Sequence, residues 1–289
     1  MDYETLSNCF VGVFEHYKSQ EDKVFVIHDL QNDLEKLVQF LEDNIQNKEW
    51  HISYNGLAFD SQVTHYILDN HFMWSDLGGC EVAEIIYQYA QKTIEASNNK
   101  QFAEYAPWKM QIMQIDLFKL HHWDNPAKRS SLKWIQYSMD WQNILDTPIH
   151  HDTNIKTQEE IDTIIEYCIN DVKSTKEIMN RSKSQIGLRK TLTKTYGINL
   201  FSASEPRISK ELFGYYLMQK LNIPKRDLRS MRTYRDIIKI KDIILPYVSF
   251  TSPEFKMLHE RFKSLEVNAA NLKGSFKYNL SYKGVKTHF

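Results

Sequence analysis

The order of apolar and polar residues in the first 70 positions predicts alternating strands and helices. Three runs are rich in β-branched and aromatic residues and are separated by short polar stretches: residues 1–5, 9–17 and 23–28. They predict an antiparallel meander of three strands. Apolar residues then recur at helical spacing: Leu34, Leu37, Val38, Leu41 and Ile45. A strand at 50–54 and a helix at 59–69 follow, which predicts an α/β fold with a mixed sheet flanked by helices.

The middle of the chain is less regular. Residues 72–111 contain one helical pattern and a polar break, and we interpret them as an insertion. Residues 112–117 can return to the sheet as a fifth strand. Ser131 begins a capped helix, and the Thr157–Glu160 capping box begins a long helix with one apolar face.

Composition indicates an ordinary soluble protein, with 42% hydrophobic and 25% charged residues. No apolar run is long enough to span a bilayer and no signal peptide opens the chain, so we expect a cytoplasmic protein without a membrane partner. Cys9, Cys80 and Cys168 lie far apart without metal-binding spacing, and we expect them to be small buried residues.

The net charge of −1 conceals two parts of opposite sign. Residues 181–289 contain 22 Lys and Arg against 8 Asp and Glu, which leaves the first 180 residues strongly acidic. A basic part supplies sequence-independent affinity for phosphates, so this division favours a nucleic-acid enzyme. The alternative is a basic helical region that is simply well solvated.

Candidate chemistry begins at the first strand. Asp2 and Glu4 are two residues apart, so both carboxylates leave the same face of the strand. A divalent cation such as Mg²⁺ or Mn²⁺ would relieve their repulsion, because these ions prefer oxygen ligands. By itself the pattern also fits a solvated surface strand.

Further acids could meet this pair. Asp60 begins a helix that leaves a central strand, and Asp171 lies four residues after Tyr167 on the long helix, so these two side chains share a face. Two metal ions held by such carboxylates can hydrolyse a phosphodiester. Asp2, Glu4 and Asp171 would hold the first ion, with Asp2 bridging to a second ion that Asp60 anchors.

Other residues suit the substrate. Tyr167 would orient the attacking water through its phenol. Asn55 could hydrogen-bond the nucleic acid strand, and Phe59 could stack on a base.

These residues together resemble a known family. The resemblance is to the three exonuclease motifs of the DEDD superfamily, in the tyrosine-bearing form found in family B DNA polymerases, and Ser131-Leu132-Lys133 is similar to phage members. It rests on three segments: Asp2-Tyr3-Glu4, Asn55-Gly56-Leu57-Ala58-Phe59-Asp60 and Tyr167-Cys168-Ile169-Asn170-Asp171.

The resemblance implies a ribonuclease H-like domain over residues 1–182 with two divalent metals, Mg²⁺ or Mn²⁺. It implies proofreading, the 3′→5′ removal of nucleotides from single-stranded DNA ends. We expect a monomer that acts in the cytoplasm of the host cell if a phage encodes it. The family's DNA contacts carry over to Thr5, Leu6, Asn55, Phe59 and Lys133. Protein-primed members have a further lysine before the third motif; residues 143–148 have none, and Lys133 and Lys156 are the substitutes.

Residues 183–289 are similar to the connection into a polymerase palm, with a hairpin expected at 275–289. The polymerase domain of the same gene product is therefore an expected partner, although no polymerase motif occurs and this chain should only degrade DNA. A group of basic residues near helical spacing could contact phosphates: Lys225, Arg226, Arg229, Arg232 and Arg235.

Two other functions stay open. The same motifs permit a free-standing exonuclease that trims DNA or RNA, and they permit a nucleic-acid-binding module that no longer cuts. The adjacent pairs His121-His122 and His150-His151 lack a spaced third ligand and predict loop histidines, not a zinc site.

Overall fold

The computed structural model describes residues 1–228, 230–231, 235–268, 279–282 and 285–288. The chain divides into two compact units, residues 1–213 and 214–289. The first unit therefore extends beyond the predicted boundary at residue 182. Ser182, at that boundary, is buried, and its amide donates to two carbonyls of the preceding helix.

The first unit is a mixed α/β structure. Its strands are β1 (Asp2–Leu6), β2 (Cys9–Glu15), β3 (Asp22–His28), β4 (Gln31–Asn32), β5 (Trp50–Ser53) and β6 (Met113–Asp116). Its helices are α1 (Leu34–Gln46), α2 (Asp60–Asn70), α3 (Gly79–Asn98), α4 (Leu117–Leu120), α5 (Leu132–Ser138), α6 (Gln158–Arg181) and α7 (Lys183–Tyr196); α8 (Glu205–Leu221) runs into the second unit.

The predicted meander is confirmed. β1, β2 and β3 pair antiparallel in sequence order, and the short β4 extends this sheet. β5 and β6 form a separate parallel pair. Residues 113–116 are therefore a strand as predicted, but this strand pairs with β5 and not with the meander. The amino group of Met1 donates to the carbonyl of Ile52 at 2.9 Å, so β5 lies beside the start of β1.

Helices cover both faces of the sheet. One core cluster combines alternate residues of β1–β3, such as Tyr3 and Phe10, with apolar residues of α1, α2 and α3. The cluster on the opposite face combines Val11 and Val13 with α6. Because successive residues of β1 point to opposite faces, Tyr3 enters the first cluster while its neighbours Asp2 and Glu4 face α6.

The interpretation of residues 72–111 as an insertion is wrong. α3 contacts β1, β2 and β3, and its apolar stripe is part of the first core cluster: Val82, Ala83, Ile86, Tyr89 and Ala90. The N-terminus of α3 is held beside the end of β3, because the amide of Cys80 donates to the carboxylate of Asp29 at 2.9 Å.

The predicted helix starts are confirmed at α5 and α6. The Ser131 hydroxyl accepts from the amide of Trp134, and Thr157 and Glu160 form a reciprocal capping box. α7 ends at Gly197, whose φ of 68° is a left-handed conformation that glycine adopts without strain. Among the cysteines, Cys9 and Cys168 are buried as expected, Cys80 is half-buried, and all three are free.

The second unit is described in pieces. It contains α9 (Lys225–Leu228), α10 (Pro253–Lys263) and two antiparallel strand pairs, of which β7 (Ile237–Lys239) pairs with β8 (Glu266–Asn268). β9 (Asn279–Tyr282) and β10 (Val285–His288) form the predicted hairpin, while its turn lies outside the described residues.

The prediction that the basic residues between Lys225 and Arg235 follow one helix is wrong. α9 ends at Leu228, and Arg235 is exposed on an irregular segment beyond it. Arg229 and Arg232 lie outside the described residues. In the part of the chain that the structure describes, no helix is long and apolar enough to cross a membrane.

The contact between α6 and the sheet predicts a stability effect. We expect Ile161→Ala to lower the free energy of unfolding by about 2–5 kcal/mol, because Ile161 is fully buried in the second core cluster and its truncation leaves a cavity. Urea denaturation measures this. Glu166→Ala on the exposed face of the same helix should change it by less than about 0.5 kcal/mol. Equal losses in both variants would contradict this packing.

Candidate metal centre

Two acidic side chains of the site are positioned by β1. The intervening Tyr3 is buried, and its hydroxyl shares a hydrogen bond of 2.9 Å with the Thr64 hydroxyl. Its ring lies over Gly12, the residue opposite it on β2, where an added Cβ would meet the ring at 3.1 Å. This packing fixes β1 so that Asp2 and Glu4 both point towards α6.

The third acidic side chain comes from α6. Asp171 is buried on the face of α6 that packs on the sheet, close to Cys168 and Val172. The Cys168 thiol donates to the backbone carbonyl of Asp2 at 3.4 Å, which ties α6 to the start of β1. Carboxylate oxygens of Asp2, Glu4 and Asp171 lie within 4.8 Å of one another, so the structure brings together three of the four predicted acids as a group that could hold a metal ion.

Asp60 lies at the start of α2, beside the Asp2 end of this group. It is almost fully buried, and its Oδ1 atom has no hydrogen-bond partner. Among neighbouring charges, Asp60 contributes most to the raised pKa of Asp2. Asp60 is therefore part of the same cleft, although it is not within the tight group of three.

The loop before Asp60 is held by a residue that sequence reasoning missed. The buried Asp116 carboxylate accepts from the amides of Asn55 at 3.0 Å and Leu57 at 3.1 Å, and it also caps α4. In the same loop Gly56 has no room for a side chain, because an added Cβ would lie 1.8 Å from the Ser53 hydroxyl. The only sequence signal for Asp116 is its position at the end of a predicted strand.

The acids of the cleft all have raised pKa values. Burial, together with the charges of Asp171 and Asp60, raises the pKa of Glu4 to about 8, and burial raises that of Asp60 to about 7. Burial likewise raises the pKa values of Asp2 and Asp171. Loss of hydration penalises each charged form and the negative neighbours add repulsion. A divalent cation would reverse both effects, so the donor set fits hard cations such as Mg²⁺ or Mn²⁺.

Tyr167 lies next to the acids as predicted. It is buried one helical turn before Asp171, and burial together with the Asp171 charge raises the pKa of its phenol. The phenol therefore stays protonated at neutral pH and can donate a hydrogen bond. The Lys133 ammonium lies 5.7 Å from the centre of the Tyr167 ring and lowers the pKa values of Glu4 and Asp171.

Gln136 is a second residue that sequence reasoning missed. It is fully buried, and its Nε2 atom donates to Asp171 Oδ1 and to the Ser174 hydroxyl, both at 2.8 Å. A neutral donor at this place fixes the orientation of the carboxylate without neutralising it. Its position on α5, 35 residues from Asp171, leaves no signal in the sequence.

The predicted DNA-contacting residues are placed differently from one another. Asn55 and Phe59 are half-buried in the loop before α2, and Phe59 also packs against the first core cluster. Thr5 and Leu6 are buried, with Leu6 in the second core cluster. Their contact with DNA stays a prediction.

Lys156, the other proposed substitute lysine, is not brought to the cleft. It is exposed directly before α6, and its backbone amide donates to Glu160. At 1.5 Å per residue, the part of α6 between Gln158 and Tyr167 alone is about 14 Å long.

The histidine pairs both lie outside helices and strands, as predicted. His121 contacts the Ser182 hydroxyl at 2.7 Å. His150 and His151 are exposed, and Asp152 adds a third donor atom that the spacing argument did not include. The Asp152 carboxylate accepts from the Tyr87 hydroxyl at 2.6 Å.

Comparisons of the chain with protein-family models, curated proteins and solved structures found no significant match.

The raised pKa values predict that the metal-free protein loses stability as pH rises. Glu4 keeps its proton in the folded state up to about pH 8 but loses it near pH 4.5 when unfolded. Its contribution is fully present below pH 4.5 and is lost as pH rises through 8, at up to about 1.4 kcal/mol per pH unit. Urea denaturation in EDTA between pH 4.5 and 8 measures this slope.

The isosteric variant Glu4→Gln tests the assignment. We expect it to flatten the slope and to raise the stability of the metal-free protein at pH 8, because the buried side chain can no longer ionise. Glu166→Gln on exposed α6 surface should leave the slope unchanged. If the free energy of unfolding of Glu4→Gln depends on pH as steeply as that of the wild type, Glu4 is not the carboxylate that causes the dependence.

Proposed function

We propose that the chain is a metal-dependent 3′→5′ exonuclease that removes nucleotides from single-stranded DNA ends. The observation that carries the proposal is the convergence of Asp2, Glu4 and Asp171, with Asp60 beside them, from three distant segments of the chain. Their raised pKa values support a site that is completed by cations, since a structural role would not need several acids so close together.

The arrangement of elements supports a ribonuclease H-like fold in this proposal. An antiparallel meander begins with β1, and the parallel pair of β5 and β6 lies on the β1 side through the hydrogen bond of Met1 to Ile52. The acids then stand on β1, at the edge of the meander beside this pair, and on α2 and α6. The proofreading role and the polymerase partner rest on the sequence resemblance.

In the proposed mechanism, Asp2, Glu4 and Asp171 would hold one divalent cation, and Asp60 with Asp2 would hold a second. When bound, such ions would activate water as the nucleophile and stabilise the charge that develops on the leaving oxygen.

The remaining groups position the substrate. Tyr167 keeps its phenolic proton, which allows it to orient the attacking water by donation. The Lys133 ammonium pairs with the fully exposed Asp146 at 3.1 Å, and such exposed pairs are weak. A phosphate of the substrate can therefore replace Asp146 beside Lys133.

Digestion of single-stranded oligonucleotides tests the activity. With Mg²⁺ or Mn²⁺, a 5′-labelled strand should shorten one nucleotide at a time, and a 3′-labelled strand should release labelled mononucleotide at once. We expect Asp2→Asn and Asp171→Asn to lower the rate by more than about 100-fold. Loss of a residue that only supports a metal ligand lowers activity by at most about that factor, and loss of the ligand itself should cost more.

The matched control is Asp162→Asn, which removes an exposed carboxylate from the same helix and should keep the wild-type rate. If the wild-type protein binds the oligonucleotide but cleaves neither label with either metal, the chain is a binding module and the nuclease proposal is wrong. Cleavage that survives Asp171→Asn would remove the metal assignment.

Gln136 is proposed as a positioning residue for Asp171. We expect Gln136→Leu to lower the rate about 10- to 100-fold and to raise the Mg²⁺ concentration needed for half-maximal activity. The exposed Gln142→Leu is the control and should change neither quantity. A lower rate with an unchanged Mg²⁺ requirement would assign Gln136 to folding instead of metal binding.

A further inference from the structure

Two large aromatic side chains of α5 face solvent next to the carboxylate cleft. Trp134 is 59% exposed and Tyr137 is 66% exposed. Their rings are stacked, with centroids 5.8 Å apart and planes at 25°. Two such rings side by side form a flat apolar surface of the kind on which a base can stack.

The position of this pair on α5 connects it to the site. Residues three or four apart on a helix are neighbours, so four side chains form a continuous strip around α5. The strip runs in the order Gln136, Lys133, Tyr137 and Trp134. Its first member donates to Asp171 at 2.8 Å, and the Lys133 ammonium lies 5.7 Å from the Tyr167 ring. The strip therefore leads from the acids of the cleft outwards to the two exposed rings.

The opposite side of α5 explains why the strip is held in place. Leu132, Ile135 and Met139 pack in a core cluster with Leu117, Leu120 and Ile178. The helix cannot turn to bury Trp134 and Tyr137 without removing these side chains from the core and Gln136 from Asp171. The exposure of the two rings is thus imposed by the same packing that builds the site.

We propose that Trp134 and Tyr137 form a stacking platform for the bases of single-stranded DNA that precede the 3′-terminal nucleotide. This inference rests on the proposed nuclease function, which places a 3′ terminus in the cleft and the next phosphate near Lys133. Base stacking suits an enzyme without sequence preference, because every base offers a flat face to an aromatic ring.

Two substrates of different length test the platform. The p-nitrophenyl ester of thymidine 5′-monophosphate occupies only the cleft, whereas an oligothymidylate also covers the outer surface of α5. We expect Trp134→Ala and Tyr137→Ala each to lower kcat/KM for the oligothymidylate about fivefold or more. The same variants should hydrolyse the ester at the wild-type rate.

Conservative and distant variants serve as controls. Trp134→Phe and Tyr137→Phe keep a ring at each position and should stay within about threefold of wild type. Trp108→Ala removes another tryptophan, 84% exposed, from the first unit and should change neither substrate. If both alanine variants process the oligothymidylate like wild type, the platform is wrong while the nuclease proposal stands.

Failure of the nuclease proposal has a different signature. In that case wild-type protein hydrolyses neither substrate with Mg²⁺ or Mn²⁺. The platform is then measured by fluorescence anisotropy of a labelled oligothymidylate, where the Trp134→Ala/Tyr137→Ala double variant should still bind more weakly than wild type. An unchanged Kd in this variant would overturn the platform.

Discussion

The repulsion among four buried or half-buried carboxylates is the constraint on which the arrangement of the first unit depends. Side chains with this charge separate when they are free to move, so something must hold them together against the electrostatic cost. In this chain the holding force is apolar packing on both faces of β1. Tyr3 is locked into one core, and Cys168 and Val172 lock α6 onto the other face. The acids occupy the alternate positions that remain.

A second set of contacts supports the acids without neutralising them. Gln136 orients Asp171, and Asp116 holds the loop that leads to Asp60 through two backbone amides. Neither contact supplies a positive charge. A lysine or arginine in these places would offset the repulsion and weaken the attraction for a cation. The supporting groups are therefore of the kind that preserves the negative potential of the cleft.

Much of this organisation follows from local sequence patterns. The meander, α1, the cap of α5 and the capping box of α6 depend on residue types at short spacing. The acids likewise follow a strand period, as Asp2 and Glu4 do, begin a helix, as Asp60 does, or share a helix face with Tyr167, as Asp171 does. Other features depend on contacts between distant residues. α3 was mistaken for an insertion because its pattern does not reveal what it packs against, and Gln136 has a role only because α5 lies beside α6. The first unit extends to Phe213 for the same reason, because α7 is joined to it by contacts between distant residues. The buried Arg189 of α7 donates to the carbonyls of Leu120 and Ala203.

The contacts that hold the cleft together join residues that are far apart in the sequence. The Cys168 thiol and the Asp2 carbonyl are 166 residues apart, and Asn55 and Asp116 are 61 residues apart. Contacts of such long range raise the contact order of the unit, which slows folding because loop closure must precede each contact. A cation that binds the assembled site and not the unfolded chain would stabilise the folded state by mass action.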